Sequence, residues 1–193
     1  MSGRDSSPAG PGALFVIAGP SGVGKGTVIR RLLELVPGVE LSVSSTTRSR
    51  RENEREDVDY RFVTDDEFDR LIAEGELLEW ADIFGHHRSG TPAEPVARAR
   101  AEGRDVILEI DVQGARQVRR QAPEAILVFL APPSLEELGR RLRSRGTEDE
   151  AQIERRLEAA SREMDDRSRF DHVVVNDDVE RAAREIAAIL AAH

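Results

Sequence analysis

The chain reads as an α/β protein built on a parallel sheet, and three observations predict it. Five short segments read as strands, Leu14–Ala18, Leu41–Ser45, Asp105–Asp111, Ala125–Ala131 and His172–Asn176. Three of them are nearly continuous in apolar residues, as strands covered on both faces are. Helical stretches alternate with them: Lys25–Val36, a segment opened by Thr91-Pro92 and closed by Gly103, Val112–Gln121, and Val179–Ala192. A glycine-rich turn joins the first strand to the first helix.

Each element has a local cause. After Lys25 the first helix carries apolar residues at helical spacing until Pro37-Gly38 stops it. The second helix is expected to use Thr91 as its cap, with Pro92 at the first helical position, where a missing N–H costs nothing. Two segments break the alternation. From Ser44 to Ser89 short polar-interrupted strands, Tyr60–Val63 and Leu77–Phe84, surround a helix begun by the capping box Thr64-Asp65-Asp66-Glu67. From Ser134 to Met164 two amphipathic helices start at Ser134-Leu135-Glu136-Glu137 and Thr147-Glu148-Asp149-Glu150, flanking Ser144-Arg145-Gly146. An arginine-studded helical pair inserted after a core strand reads as a lid. The expected organisation is a tail over 1–12, a core over 13–43, 92–133 and 165–193, an inserted subdomain over 44–91, and a lid over 134–164.

The turn after the first strand, Gly19-Pro20-Ser21-Gly22-Val23-Gly24-Lys25-Gly26-Thr27, has the composition of a phosphate cradle. Glycines at 19, 22 and 24 are expected to supply the positive φ angles that let successive backbone N–H groups converge on one anion. Lys25 adds a mobile ammonium for β- and γ-phosphates, and the amides opening the helix meet the anion end-on. Where many such loops follow the lysine with a hydroxyl for Mg²⁺, this one has Gly26, with Thr27 one place later.

Composition narrows the rest. The 193 residues suffice for one core carrying small insertions, and the formal net charge of −9 argues against a passive nucleic-acid binder. With no cysteine, neither a disulfide framework nor a thiolate metal site is available, which suits a reducing cytoplasm. The Ser/Gly/Pro-rich stretch up to Gly12 reads as a disordered tail and not as a signal or anchor. The longest apolar run, Ala125 to Ala131, is too short to span a bilayer.

A second anion site is suggested by Ser44-Ser45-Thr46-Thr47-Arg48-Ser49-Arg50-Arg51, where guanidinium forks and hydroxyls fall together. Taken alone, such a run is as readily a solvated charged loop, and the acidic Glu52 to Asp59 stretch offers local partners for the arginines. Glu109 and Asp111 lie two apart at the end of one strand, on the face where a sheet's carboxyl edge opens into a ligand crevice.

With these elements in order, the chain resembles the guanylate kinase family over almost everything after residue 12. The resemblance rests on Gly-Pro-Ser-Gly-Val-Gly-Lys at 19–25, Ser-Ser-Thr-Thr-Arg at 44–48 with Arg51 and Tyr60, and Leu-Leu-Glu-Trp at 77–80. It continues through Ser-Gly-Thr-Pro at 89–92, Leu-Glu-Ile-Asp-Val-Gln-Gly at 108–114, Arg-Gly-Thr-Glu at 145–148 with Arg156, and Val-Asn-Asp-Asp at 175–178. It implies a P-loop kinase core with a GMP-binding subdomain and a closing lid, moving the terminal phosphoryl of ATP to GMP or dGMP with Mg²⁺. Carried over position by position, the ATP site is 19–27 with Arg145 and Asn176. Arg48, Arg51 and Tyr60 would hold the GMP phosphate, and Ser44, Glu79, Thr91 and Asp111 would read guanine. Lys25, Arg48, Arg145 and Arg156 would stabilise the transferring group, and Mg²⁺ would sit on ATP phosphates and water with Thr27 or Glu109 as candidate protein ligands.

The chemistry of the base agrees independently, because guanine offers N1–H and an N2 amino group as donors where adenine has an acceptor at N1. Arg140, Arg141, Arg143 and Arg155 read as solvated helix charges. The chain departs from the family pattern in two ways here. Pro and Gly positions usual after the first arginine are Arg50, Asn53 and Asp57. A tyrosine before Gly90 that reaches the GMP phosphate is Ser89, with Arg88 at hand to compensate. Asn176 resembles the family position near the adenine of ATP, though a residue in this turn-forming Asn-Asp-Asp could equally cap the last helix. Two other functions stay open: a guanylate-kinase-like module binding phosphopeptides, against which Lys25 and the lid arginines count, and a kinase of another small phosphate monoester, against which Glu79, Thr91 and Asp111 count.

Overall fold

A computed structural model describes residues 10–83, 85–144 and 149–193. In chain order the elements are β1 (Leu14–Ala18), α1 (Lys25–Leu35), β2 (Glu40–Leu41), β3 (Ser45–Thr46), β4 (Arg61–Phe62), α2 (Asp65–Ala73), β5 (Leu77–Ile83) and β6 (His87–Pro92). They continue with α3 (Ala93–Ala101), β7 (Val106–Ile110), α4 (Val112–Gln121), β8 (Ile126–Ala131), α5 (Leu135–Ser144), α6 (Glu150–Asp165), a 3₁₀ turn (Asp166–Arg169), β9 (His172–Val175) and α7 (Val179–Ala191).

Five strands form a parallel sheet in the order β2-β7-β1-β8-β9. The continuous apolar runs have their cause in this position: alternate side chains of each strand face opposite helical layers. On one side Phe15, Ile17 and Val128 pack with Ile29 and Leu32 of α1 and Ile186 of α7. On the other, Leu14, Val16 and Leu108 pack with Val96 of α3 and with Ala115 and Val118 of α4. Every residue of β1 is at most 1% exposed. This makes β1 the axis of the core, and the loop leaving its carboxyl end is fixed accordingly.

The stretch expected to be one strand over Leu41–Ser45 is divided. Glu40–Leu41 closes the edge of the parallel sheet against β7, while Ser45–Thr46 belongs to a second, four-stranded sheet of order β4-β3-β6-β5. Ser42, whose N–H still donates to Ile107 O, and Ser44, whose carbonyl accepts from Arg61 N, carry the chain between the sheets. In the second sheet β3 runs parallel to β4, and β6 runs antiparallel to both β3 and β5. Phe68 and Leu71 of α2 pack beneath it with Val63 and Leu77.

β6 was not among the expected strands, and its presence corrects the assignment of Thr91. Helix α3 starts at Ala93 with Pro92 as its cap residue and no side-chain capping bond. Thr91 is the partner of Glu79 across the β5–β6 ladder, and its hydroxyl donates to Glu79 Oε1 at 2.6 Å. A buried carboxylate requires a donor, and that requirement outweighs the cap. At the outer edge Gln117 of α4 pairs its side-chain amide with the Trp80 backbone, donating to the carbonyl at 2.6 Å and accepting from the N–H at 3.2 Å. The edge strand β5 is thereby tied to the core helix.

Helices α5 and α6 share an apolar seam of Leu138, Leu142, Ile153 and Ala160. Ser134 accepts from Glu137 N as expected. The expected box at Thr147 falls on residues outside the described ones, and α6 is capped by Asp149 with a reciprocal bond from Gln152. Most of the expected tail, 1–9, likewise lies outside the described residues. Gly12, placed in that tail, is instead bonded to α3 through Arg100, donating its N–H to Arg100 O and accepting at its carbonyl from Arg100 Nε. Among the described residues no helix is long and apolar enough to cross a membrane.

Candidate active site

The glycine-rich loop follows β1 as anticipated, but its glycines serve different ends. Gly22 and Gly24 have φ of 91° and 97°, the left-handed region that glycine occupies without penalty. Gly19 does not have positive φ; a Cβ there would lie 2.2 Å from Leu130 O, so it is required by the approach of β8. Lys25 opens α1 and donates from Nζ to Gly19 O at 2.7 Å and Pro20 O at 3.3 Å. The loop is braced from behind by Asn176, 3% exposed, which donates from Nδ2 to Val23 O at 2.7 Å. Asp178 caps α7, so Asn176 is not the cap of that helix. Arg141 is also misjudged as a solvated charge: from α5 it reaches Asn176 O at 2.9 Å and Val23 O at 3.3 Å. Arg140, by contrast, is 78% exposed at its side chain.

In front of the loop lies a cavity of about 420 Å³. Gly19, Ser21 and Lys25 line one end, and Ser44, Arg48, Tyr60, Glu79, Glu109 and Asp111 line the rest. Residues drawn from both sheets thus meet in one space. Arg51 is exposed, as are Gly26 and Thr27 in the first turn of α1, where a Cβ at Gly26 would lie 3.6 Å from Glu109 Oε1.

Arg48 is oriented by a two-pronged pair with Glu54, NH1 at 3.0 Å and NH2 at 2.7 Å, and its guanidinium lies 5.2 Å from the Tyr60 ring centre. Glu54 also accepts from Arg51 N at 2.8 Å, which folds the loop around one carboxylate. Its acidity is strengthened by the Arg48 hydrogen bond. The loop turns through Asp57, whose φ of 57° is the left-handed region in a non-glycine residue, and whose N–H bonds Tyr60 O. Such a backbone costs on the order of 1 kcal/mol. Asp57→Gly is therefore expected to raise the melting temperature by about 1–3 °C, read by circular dichroism; an unchanged or lower midpoint contradicts strain at this turn.

At the opposite wall Glu79 is 4% exposed. Burial pushes its carboxyl up to about 7, against the hydrogen bond from Thr91 and with a smaller upward push from Asp111. Asp111 caps α4, accepting from Gly114 N at 2.6 Å through Oδ1. A Cβ at Gly114 would lie 2.4 Å from Glu79 Oε2, so this glycine lets the two carboxylates converge. Glu109, half-buried at the end of β7, is held above the usual carboxylate range by burial, while Lys25 opposes the shift.

A family model described as guanylate kinase matches residues 12–193. A guanylate kinase of Thermobifida fusca (strain YX) is 54% identical over 182 residues, covering 94% of this chain and 92% of its own length. One from Corynebacterium efficiens is 53% identical over 180 residues, with 93% and 95% covered. A solved guanylate kinase from Anaplasma phagocytophilum superposes with a TM-score of 0.78 at 36% identity, covering 95% of this chain and 86% of that one. The chain belongs to the guanylate kinase family.

Within that family frame, Arg145 lies outside the described residues, and Arg156 is half-buried on α6. Arg88, considered as a replacement for the family tyrosine, is committed elsewhere. It pairs with Asp65 and Asp69 of α2 and lies 4.9 Å from the Phe68 ring centre. The cavity also contains Glu163, which sequence reasoning missed, and His87, which reads from the sequence as a loop residue but opens strand β6. Glu163 sits in the last turn of α6, where burial raises its carboxyl and Lys25 opposes the shift. Asp166, just beyond, is anchored by Arg116 of α4. One charged residue among many on an amphipathic helix gives no signal of such placement.

Proposed function

We propose that this member of the guanylate kinase family transfers the terminal phosphoryl group of ATP to GMP, and also to dGMP, giving ADP and GDP or dGDP. The observation that carries this reading is the sharing of one cavity by the Lys25 loop, the Arg48–Tyr60 wall and the Glu79–Asp111 carboxylates. Loop amides and Lys25 receive the ATP phosphates, with Asn176 holding the loop in shape. Arg48, Arg51 and Tyr60 take the acceptor phosphate.

Guanine is read by Ser44, Glu79, Thr91 and Asp111. Thr91 and Gly114 N each occupy one oxygen of Glu79 and Asp111, which leaves the second oxygen of each carboxylate to accept from N1–H and the N2 amino group. The acceptor oxygen belongs to a phosphate with a second pKa of about 6, mostly deprotonated at neutral pH, so no general base is required. Catalysis then consists of bringing two polyanions together and stabilising the spread charge, with Lys25, Arg48 and the lid arginines Arg145 and Arg156 as the cations.

Among the described residues no group of three acidic or histidine side chains could cage a metal. That fits Mg²⁺, which keeps waters and is held by substrate phosphates with one or two protein oxygens. Glu109 is the better placed of the two candidates, since its carboxylate lines the cavity beside Lys25. When bound, Mg²⁺ supplies charge neutralisation on the triphosphate. The organisation follows: a core over 13–43, 92–133 and 165–193, the acceptor subdomain over 44–91, and a lid over 134–164. A cytoplasmic role in purine nucleotide metabolism completes the reading, in keeping with a cysteine-free sequence.

A coupled assay with ATP and a panel of GMP, dGMP, AMP, CMP and ribose 5-phosphate tests it. GMP and dGMP are the expected acceptors, with AMP lower in kcat/KM by on the order of 10⁴. Comparable turnover of AMP rules out the guanine assignment.

A further inference from the structure

The register of β5 and β6 lays two rails along the acceptor side of the cavity. Glu79 faces Thr91, Ala81 faces Ser89, and Ile83 faces His87. Side chains two apart on a strand share a face, about 7 Å from one to the next. The rail of β6 thus runs from Thr91, at the carboxylate end, through Ser89 to His87, and both Ser89 and His87 line the cavity. Arg88 lies between them on the opposite face and is bound to α2. Ser89 is the position where the family pattern has a tyrosine, and a hydroxymethyl group is too short to span the cavity. His87 stands one pleat further along, beside Arg48, on the wall assigned to the acceptor phosphate. Its ring makes no hydrogen bond among the described residues.

Resting on the proposed ATP:GMP activity, the geometry points to His87 as a further ligand of the acceptor phosphate, binding as an imidazolium and replacing the phenol absent at Ser89. The groups that face His87 are Arg48, Arg51, His86 and Asp82. Burial, then Arg48, His86 and Arg51, push its pKa down, and Asp82 opposes them. In the free protein the ring is therefore neutral near pH 7. A phosphate dianion arriving between Arg48 and His87 reverses the sign of the local field and favours the protonated ring. GMP binding thus takes up a proton at His87, and the affinity for GMP falls as pH rises above about 7, where the substrate phosphate is already mostly ionised.

The test compares His87→Ala, His87→Gln, Ser89→Tyr and the double variant His87→Ala/Ser89→Tyr in the full chain. KM values for GMP and ATP are measured between pH 6.5 and 8.5, with thermal melts as a check on folding. His87→Ala and His87→Gln are expected to raise KM for GMP roughly tenfold at pH 7 while leaving KM for ATP within about twofold. In both, the rise of KM for GMP with pH is lost. Adding Ser89→Tyr to His87→Ala is expected to restore most of the affinity without restoring the pH dependence. A KM for GMP within twofold of wild type in both His87 variants, with wild-type melts, overturns the inference. That result leaves the activity itself standing, whereas a wild-type protein that does not phosphorylate GMP defeats the underlying reading first.

Discussion

Replacing Lys25 by alanine is expected to lower kcat by on the order of 10³-fold or more. The ammonium is the one cation of the glycine loop, and it stands at the end of the cavity nearest the loop amides. Its stabilising effect is greatest when charge spreads over the transferring phosphoryl group, so the loss falls on kcat and less on ground-state binding of GMP. The structural cost is small by comparison. Lys25 donates to Gly19 O and Pro20 O, and removing a bond of this kind costs about 1 kcal/mol, equivalent to a shift of a few degrees in melting temperature. The loop keeps its shape through Gly22, Gly24 and the Asn176 brace, none of which involves the lysine. Lys25→Arg is also expected to fail, because a planar fork does not reproduce a compact point charge in the same place. Coupled-assay turnover within tenfold of wild type, in a variant with a native melt, contradicts the role assigned to Lys25.

The core was legible because its signal is chemical continuity. β1, β7 and β8 are short apolar runs buried on both faces, β9 is an apolar edge strand that buries Val174 and exposes Val173 and Val175, and α1, α4 and α7 follow at helical spacing, so their limits fall within a residue or so of expectation. The inserted sheet was less legible for a definite reason. β6 contains His87, Arg88, Ser89, Gly90 and Thr91, a polar set whose alternation appears only when its partners are known: Arg88 toward α2, His87 and Ser89 toward the cavity, and Thr91 on the Glu79 carboxylate. Ser42 and Ser44 interrupt what read as one strand, and a change of sheet has no mark in local propensity. Thr91 before Pro92 carries the same signature as a helix start, and only the burial of Glu79 decides between the two. Arg141 and Glu163 show the same limit on helices. Each is one charged residue on an amphipathic surface, and only the docking of α5 and α6 near the loop makes the first a brace and the second a wall of the cavity.

Glu79→Gln is expected to reduce kcat/KM for GMP by roughly 10²–10³-fold and to make the protein more stable above neutral pH. Both effects come from one cause. Glu79 is 4% exposed and its carboxyl is pushed up to about 7, first by burial. The folded-state pKa therefore lies above the unfolded value, and the folded form binds the proton more tightly. Stability is fully present below about pH 4.5 and is lost as pH rises through 7, by up to roughly 3 kcal/mol for a shift of this size. Recognition of guanine runs the other way: N1–H and the N2 amino group need an ionised acceptor, so GMP binding expels the proton and weakens as pH falls below 7. Glutamine keeps the bond from Thr91 and removes the buried charge, but it cannot offer an anion to the base. The melting temperature of the variant should change less than wild type between pH 5.5 and 8 and exceed it at pH 8, while discrimination of GMP against AMP narrows. A variant less stable than wild type at pH 8 shows that burial of the carboxylate charge is not costly, and one that keeps wild-type kcat/KM for GMP shows that the carboxylate is not the reader of the base.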